Sequence, residues 1–340
     1  MFIGAFVGGA TLLSCGARSE LDTVITEAVD AAADAQTEVA PTGCRYSTQT
    51  ALAPADGAPD EIIVNDGYVY WNTTGAIYRV PTTGGTPVQL VMTPEDVTVG
   101  YAHFVLDGPN IAWVKHGTLG STPLAGGPTQ TALVDPSYAG VVASGAGLWI
   151  WQTTQGPPAN LAQVEDGAVN VLTSQLPWGT AQMIVDSSAS PGLTFYGGVG
   201  GPGFGVFQLL GGGTELGWLL VGTPITDLAW DGMSFFYTQF GDGNQDAAVW
   251  RLETPSATML SHEGAVVLGG IALSADDVYF TNRTAGTVER VGKTGQDHVT
   301  VGSVPNTQPM GVAVDGACVY WTNLDDVAAG TIYVAPMPLP

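Results

Sequence analysis

One pattern returns seven times along this chain at a spacing of about 42 residues, and that periodicity constrains the fold before any chemistry is considered. The clearest copy reads Gly311-Val312-Ala313-Val314-Asp315-Gly316, then Val319-Tyr320-Trp321-Thr322-Asn323, then Gly330-Thr331-Ile332-Tyr333-Val334. A second reads Ile62-Ile63-Val64-Asn65, then Val69-Tyr70-Trp71-Asn72, then Gly75-Ala76-Ile77-Tyr78. A third reads Ile271-Ala272-Leu273-Ser274, then Val278-Tyr279-Phe280-Thr281-Asn282, then Gly286-Thr287-Val288. Weaker copies centre on Asp107, Ser144, Asp186 and Asp231. Each unit holds three or four short runs rich in Val, Thr, Tyr and Trp, bounded by Gly, Pro, Asn or Asp, as half-buried strands require. Four strands repeated seven times predict an all-β chain, a seven-bladed β-propeller of four-stranded blades, with six or eight blades as the alternatives.

Charge narrows the partners. Only 8 Lys and Arg face 31 Asp and Glu, a net charge of -23. A field of that sign repels phosphate backbones, which excludes nucleic acid as a partner. The same field suits cations, basic partners or plain solubility.

The N-terminus reads as an address. Residues 1–13 are apolar but shorter than the roughly 20 residues a membrane span needs. They fit the apolar part of a signal peptide, which is expected over 1–14. The run ends in Leu12-Leu13-Ser14-Cys15-Gly16, which resembles the bacterial lipobox. That resemblance implies cleavage before Cys15, acylation of Cys15 and anchoring to a membrane by several acyl chains. No Lys or Arg precedes the apolar run, a departure from the usual signal peptide. Gly16 after the Cys, where Asp would favour the inner membrane, leans toward the outer membrane. Residues 15–43 are rich in Ala, Asp, Glu and Thr without aromatics, and read as an acidic disordered tether. The propeller is expected over 44–340.

The last copy has only three strands. Ser47-Thr48-Gln49-Thr50-Ala51-Leu52-Ala53 matches Pro128-Thr129-Gln130-Thr131-Ala132-Leu133-Val134 at five consecutive positions, and the latter ends the second copy as its outermost strand. The segment before the first copy is therefore expected to complete the last blade and clasp the chain ends, removing an open edge. Cys44 and Cys318 fall at the same end of that blade and are expected to form a disulfide in an exported chain.

Tyr320-Trp321-Thr322-Asn323, with the looser Tyr70-Trp71-Asn72-Thr73, Tyr279-Phe280-Thr281-Asn282 and Phe236-Tyr237-Thr238-Gln239, resembles the Tyr-Trp-Thr-Asp propellers of lipoprotein receptors. Those propellers have six blades and an Asp at the fourth motif position, where this chain has Asn, Thr or Gln. The lipobox, the acidic tether and the repeat together are also similar to bacterial surface lipoproteins. Neither resemblance carries a catalytic residue across.

Two places could hold chemistry. Aligning the copies puts Glu61, His103, Gly140, Gln182, Asp227, Gly270 and Gly311 at the first position of the innermost strand, one mouth of the channel. Glu61, His103, Gln182 and Asp227 could hold a divalent cation or a small polar ligand there, with the three glycines leaving room. Such a mouth is similar in kind to that of gluconolactonase-type propellers. Asp242, Asn244, Asp246 and Glu253 match positions 1, 3, 5 and 12 of a calcium loop, although Ala247 stands where the turn wants Gly. An exposed polar hairpin is the simpler reading of that run. Trp149, Trp151, Trp230 and Trp250 read as inter-blade packing or as a sugar-stacking platform. Gly197 to Gly201 and Gly211 to Gly213 read as loops. His116, His262 and His298 are isolated and read as surface residues.

The expectation is a monomeric, outer-membrane lipoprotein whose propeller binds a protein or glycan. A metal-dependent lactonase or hydrolase at the channel mouth is the competing enzyme, and a scaffold for another envelope complex a third reading. No cofactor is certain; calcium is the candidate.

Overall fold

The computed structural model describes residues 43–338 apart from 93–102, 116, 135–136, 145–146, 153–158, 166–167, 177–179, 187–193, 200–204, 211–214, 222–223, 242–245, 254–255 and 327–328. The signal peptide, Cys15 and nearly all of the tether lie outside those residues. Everything regular in the described part is β-strand, arranged as seven four-stranded antiparallel sheets. Six are runs of four consecutive strands. The seventh takes Thr50–Ala55 as its outermost strand, hydrogen-bonded to Ala329–Pro336, so the two ends of the domain share one sheet. Cys44 and Cys318 form a disulfide across a separation of 274 residues.

Seven apolar clusters join each sheet to the next. Tyr70, Ile77, Phe104 and Trp113 join the first to the second. Leu52, Trp71, Tyr78, Tyr320 and Ile332 join the seventh back to the first. The five clusters between follow the same order, so the sheets pack face to face in a closed ring. The aromatic pair in each motif does this work through the two-residue period of a strand. Tyr70, Tyr279, Tyr320 and Phe236 pack against the following sheet. Trp71, Phe280, Trp321 and Tyr237 pack against the preceding one. Trp149 and Trp151 are buried in such a cluster, and Trp230 and Trp250 are packed against another, so the tryptophans serve sheet packing and present no stacking platform. Gly197 and Gly198 belong to the strand Thr194–Val199, not to a loop, while Gly211 to Gly213 lie outside the described residues.

Five of the described Lys and Arg side chains are committed to the same seams. The Arg79 guanidinium donates to the Leu124 carbonyl of the next sheet, and Lys115 to Thr74 of the previous one. Arg251 donates to the Lys293 carbonyl at 3.0 Å and Arg290 to that of Pro338 at 3.3 Å. Lys293 reaches back to Asp231 at 2.9 Å.

Candidate functional site

The innermost strands are Pro59–Asn65, His103–Asp107, Tyr138–Ser144, Thr180–Asp186, Ile225–Trp230, Leu268–Leu273 and Gln308–Val314. Successive members lie side by side around a common centre. Six of them break register with their partner strand at the same place: after Pro59, Tyr138, Thr180, Ile225, Leu268 and Pro309. A bulge bends the strand and re-aims one side chain. Apart from His103, whose strand pairs without a break, the aligned residues sit at or just beyond these breaks. His103, Gly140, Gln182 and Asp227 pair with Val114, Trp151, Gly198 and Thr238. Glu61, Gly270 and Gly311 fall inside the breaks.

Bulges free backbone groups that must be satisfied, and the third motif residue does so. Asn72 Oδ1 accepts from Glu61 N at 2.8 Å, Thr238 Oγ1 from Asp227 N at 3.1 Å, and Thr322 Oγ1 from Gly311 N at 2.8 Å. Three threonine hydroxyls then donate across to the next sheet: Thr238 to Gly269 O at 3.1 Å, Thr281 to Met310 O at 2.8 Å, and Thr322 to Asp60 O at 2.7 Å. All three threonines are fully buried. Sequence reasoning recorded the Thr of the motif without a role; its hydroxyl is the tie between neighbouring sheets.

Two of the expected rim residues meet. Glu61 Oε1 lies 2.5 Å from His103 Nδ1, and Glu61 Oε2 accepts from Phe104 N at 3.3 Å. The His103 ring lies 6.2 Å from that of Trp151. Burial opposes protonation of His103, but the carboxylates of Glu61 and then Asp60 outweigh it and hold the imidazole up to about 9. Asp227 stands apart from that pair. Its Oδ1 accepts from Leu228 N at 2.8 Å and its Oδ2 from Ile271 N at 2.9 Å, one bond within its sheet and one to the next. Burial pushes the Asp227 carboxyl up to about 7 against those amides, with Glu61 and Asp60 adding to the rise. Gln182 is placed by its backbone opposite Gly198, and nothing further is described of its side chain.

Asp60 belongs to this group although the alignment passed over it by one residue. Burial and Glu61 raise its carboxyl to about 6, while His103 and Arg283 pull the other way. The Arg283 guanidinium donates to Gln308 Oε1 at 3.2 Å. A bulge that adds a residue at this point is the reason position counting missed Asp60.

Of the expected divalent-cation arrangement, the described side chains give only the Glu61–His103 contact. Among the described residues no three Asp, Glu, His or Cys side chains converge closely enough to hold a metal ion. His103 Nδ1 is taken by Glu61, and both Asp227 oxygens are taken by amides. The glycines leave no room either. A Cβ on Gly140 would stand 2.0 Å from the Trp151 indole, and one on Gly311 would stand 2.5 Å from Asp60 O. A Cβ on Gly270 would meet Gly311 Cα at 2.9 Å. Glycine at these positions permits close approach of neighbouring strands and of Trp151.

The two described residues of the calcium-loop spacing do not come together. Ala247–Glu253 is an extended strand, which sets Asp246 and Glu253 on the order of 20 Å apart. Asp246 pairs with His262 at 2.9 Å and Glu253 with Arg251 at 3.4 Å. Asp242 and Asn244 lie outside the described residues. His298 stands beside Ser261 and between Glu263 and Glu289, at 3.3, 3.6 and 3.7 Å.

Comparison with known proteins places the chain among propeller-type folds. No protein-family model and no curated relative matches it. Among solved structures it is similar to virginiamycin B lyase from Staphylococcus aureus, a catalytically inactive form crystallised with quinupristin: TM-score 0.67, 13% identity, over 85% of this chain and 98% of that one. It is similar to the extracellular domain of the one-component system protein BT4673 from B. thetaiotaomicron, at TM-score 0.65 and 9% identity. That likeness covers 86% of this chain but 40% of the other. YCF48 from Cyanidioschyzon merolae is similar at TM-score 0.62 and 12% identity, over 85% and 99% of the two chains. At such identities the likeness establishes the fold, a β-propeller domain, and no more.

Proposed function

We propose that the seven sheets are the blades of one closed seven-bladed propeller, exported and anchored through Cys15, that recognises a protein or glycan partner and carries out no turnover. The observation that carries the binding reading is the commitment of the channel-mouth groups: Glu61 to His103 and Phe104 N, Asp227 to Leu228 N and Ile271 N. Groups fixed in this way hold neighbouring blades together and are poorly placed to shuttle protons or ligate a catalytic metal. Export is supported by the Cys44–Cys318 bridge, since disulfides persist in oxidising compartments. The likeness to an extracellular domain agrees with it. Outer-membrane anchoring and the monomeric state belong to the same proposal.

The likeness to a lyase, together with the Glu61–His103 pair, keeps an enzyme at the channel mouth as the second reading. The test has two arms. The full chain should take up labelled fatty acid and partition with membranes, and Cys15→Ser should lose both. The purified chain should retain specific ligands on arrays of envelope glycans and proteins. It should leave lactones and quinupristin intact with or without calcium or magnesium. Turnover that disappears in Glu61→Gln would overturn the binding reading in favour of the enzyme.

A further inference from the structure

The opening arm of the domain, residues 44–55, lies across three sheets. Tyr46 Oη donates to Thr82 O of the first at 3.1 Å. Gln49 Nε2 donates to Ser303 O of the sixth at 3.2 Å, and Gln49 Oε1 accepts from Ser303 N at 2.9 Å. Thr50–Ala55 completes the seventh. Each of these holds is weak against a pull. The strand has a neighbour on one side only, and its register breaks between Ala51 and Ala53. Pro54 has no N–H to give. The Gln49 pair is exposed, so water competes for both of its bonds. Cys318, to which Cys44 is bridged, is held differently. It opens the strand Cys318–Asp326, which is hydrogen-bonded on both sides, to Ala329–Pro336 and to Gln308–Val314. Its N–H donates to Asp315 Oδ1 at 2.8 Å, and its carbonyl accepts from Asp315 N at 3.3 Å. Two residues on, Tyr320 donates to Asp315 Oδ2 at 2.8 Å and packs against the first sheet, while Trp321 packs against the sixth.

We propose that the Cys44–Cys318 bridge is a strain-relief joint: tension entering from the N-terminal side crosses the sulfurs into an interior strand, and the arm that closes the ring carries none of it. The inference rests on the reading above that the chain is held through its N-terminal segment, and adds how the ring stays shut when it is so held. A pull on residue 43 cannot draw Cys44 away from Cys318 without stretching covalent bonds, so residues 45–55 stay slack. The position of the bridge suits this. Cys44 precedes every tie of the arm, and Cys318 pairs with Pro336 at the end of the sheet where Thr50 pairs with Val334. A bridge placed after Ala55 would leave the whole arm in the path of the pull. Without the bridge, tension reaches Tyr46 and Gln49 first and then opens the strand pairing from Thr50 toward Ala55. The seventh sheet would lose its outermost strand, and the sixth and first would lose their side-chain ties, at the one place where the two ends of the domain meet.

Optical-trap pulling on the full chain tests this, with one handle at the N-terminus. The other is attached through an azide-bearing amino acid in place of Met233, which is exposed in the turn between the first two strands of the fifth sheet. Oxidised wild type should show no step before the domain unfolds. Cys44→Ser, and wild type in reductant, should show an earlier step at lower force that reverses on relaxation. Its length should be about 40 Å, residues 44–55 drawn out at about 3.5 Å each. Tyr46→Phe combined with Gln49→Ala should leave the first rupture force of the oxidised chain unchanged, yet lower the force of the early step in the Cys44→Ser background; that non-additivity is the mark of an arm shielded by the bridge. The proposal is overturned if oxidised wild type shows the same early step, if Cys44→Ser first yields at the wild-type force, or if the arm substitutions lower the first rupture of the oxidised chain. Fatty-acid labelling reads the anchor separately: a labelled chain that fails the force test loses the joint and keeps the anchor, and an unlabelled chain that passes it keeps the joint and loses the anchor.

Discussion

Reducing the Cys44–Cys318 bridge should cost the propeller a definite part of its stability. The bridge closes a loop of 274 residues. In the chain-entropy account, cross-linking a loop of that length removes about 19 cal/mol/K from the unfolded ensemble, or about 5.6 kcal/mol at room temperature. A domain of roughly 300 residues unfolds with an entropy near 0.6 kcal/mol/K at its midpoint, so the midpoint should drop by about 9 °C. Cys44→Ser is the cleaner variant, because Cys44 is half-buried whereas Cys318 is fully buried and a hydroxyl there would add its own penalty. The strand Thr50–Ala55 keeps its pairing with Ala329–Pro336 in either state, so the folded form should persist. Scanning calorimetry of wild type, wild type with reductant, and Cys44→Ser should give one high and two matching low midpoints. A reduced protein that melts within 2 °C of the oxidised one would refute the reasoning. It would mean that the clasp strand alone already restricts the unfolded chain, or that strain in the bridge offsets the entropy.

Three other outcomes follow from the seams and the mouth. Thr322→Val keeps the shape but strips the partner from both Gly311 N and Asp60 O, and urea unfolding should show a loss of about 1–3 kcal/mol. Gly140→Ala drives a methyl into the Trp151 indole, so near-UV circular dichroism should change and stability should fall by about 1–3 kcal/mol, whereas Gly67→Ala, which meets nothing within 4 Å but has φ +74, should cost only the smaller backbone penalty without a tryptophan signal. His103 is raised from its ordinary 6.5 to about 9, so the stability it contributes should be complete below about 6.5 and should be lost as pH rises through about 9. Glu61→Gln should move its titration, followed by proton resonance, back toward the ordinary value.

How much of this could be read from the chain differs from feature to feature. The strands of the first, sixth and seventh copies, the clasp and the cysteine pair were legible because each is a matter of pattern and spacing along one line. Two aromatics side by side also announce a strand buried on both faces, as Tyr320 and Trp321 are. The mouth was legible only in part. The alignment of copies brought Glu61 and His103 together, but it treated the glycines as empty space, and they are filled by Trp151 and by the adjoining strands. It missed Asp60 because a bulge places two residues where a strand count expects one. The calcium spacing loses support for the opposite reason: a twelve-residue pattern has meaning only if the chain coils, and its described part runs straight through Ala247–Glu253.

The clasp also fixes an order of events. Among the described strands Thr50–Ala55 is the first to be synthesised, yet its partner Ala329–Pro336 is the last. Until Ala329–Pro336 emerges, that opening strand has no native mate and the first sheet lacks the neighbour that covers Trp71 and Tyr78. A nascent chain must therefore carry an unsatisfied edge and an uncovered aromatic face while the intervening sheets are made, which makes closure slow and the waiting state prone to self-association. The run Thr48-Gln49-Thr50, largely polar, is a mild sequence with which to begin such a wait.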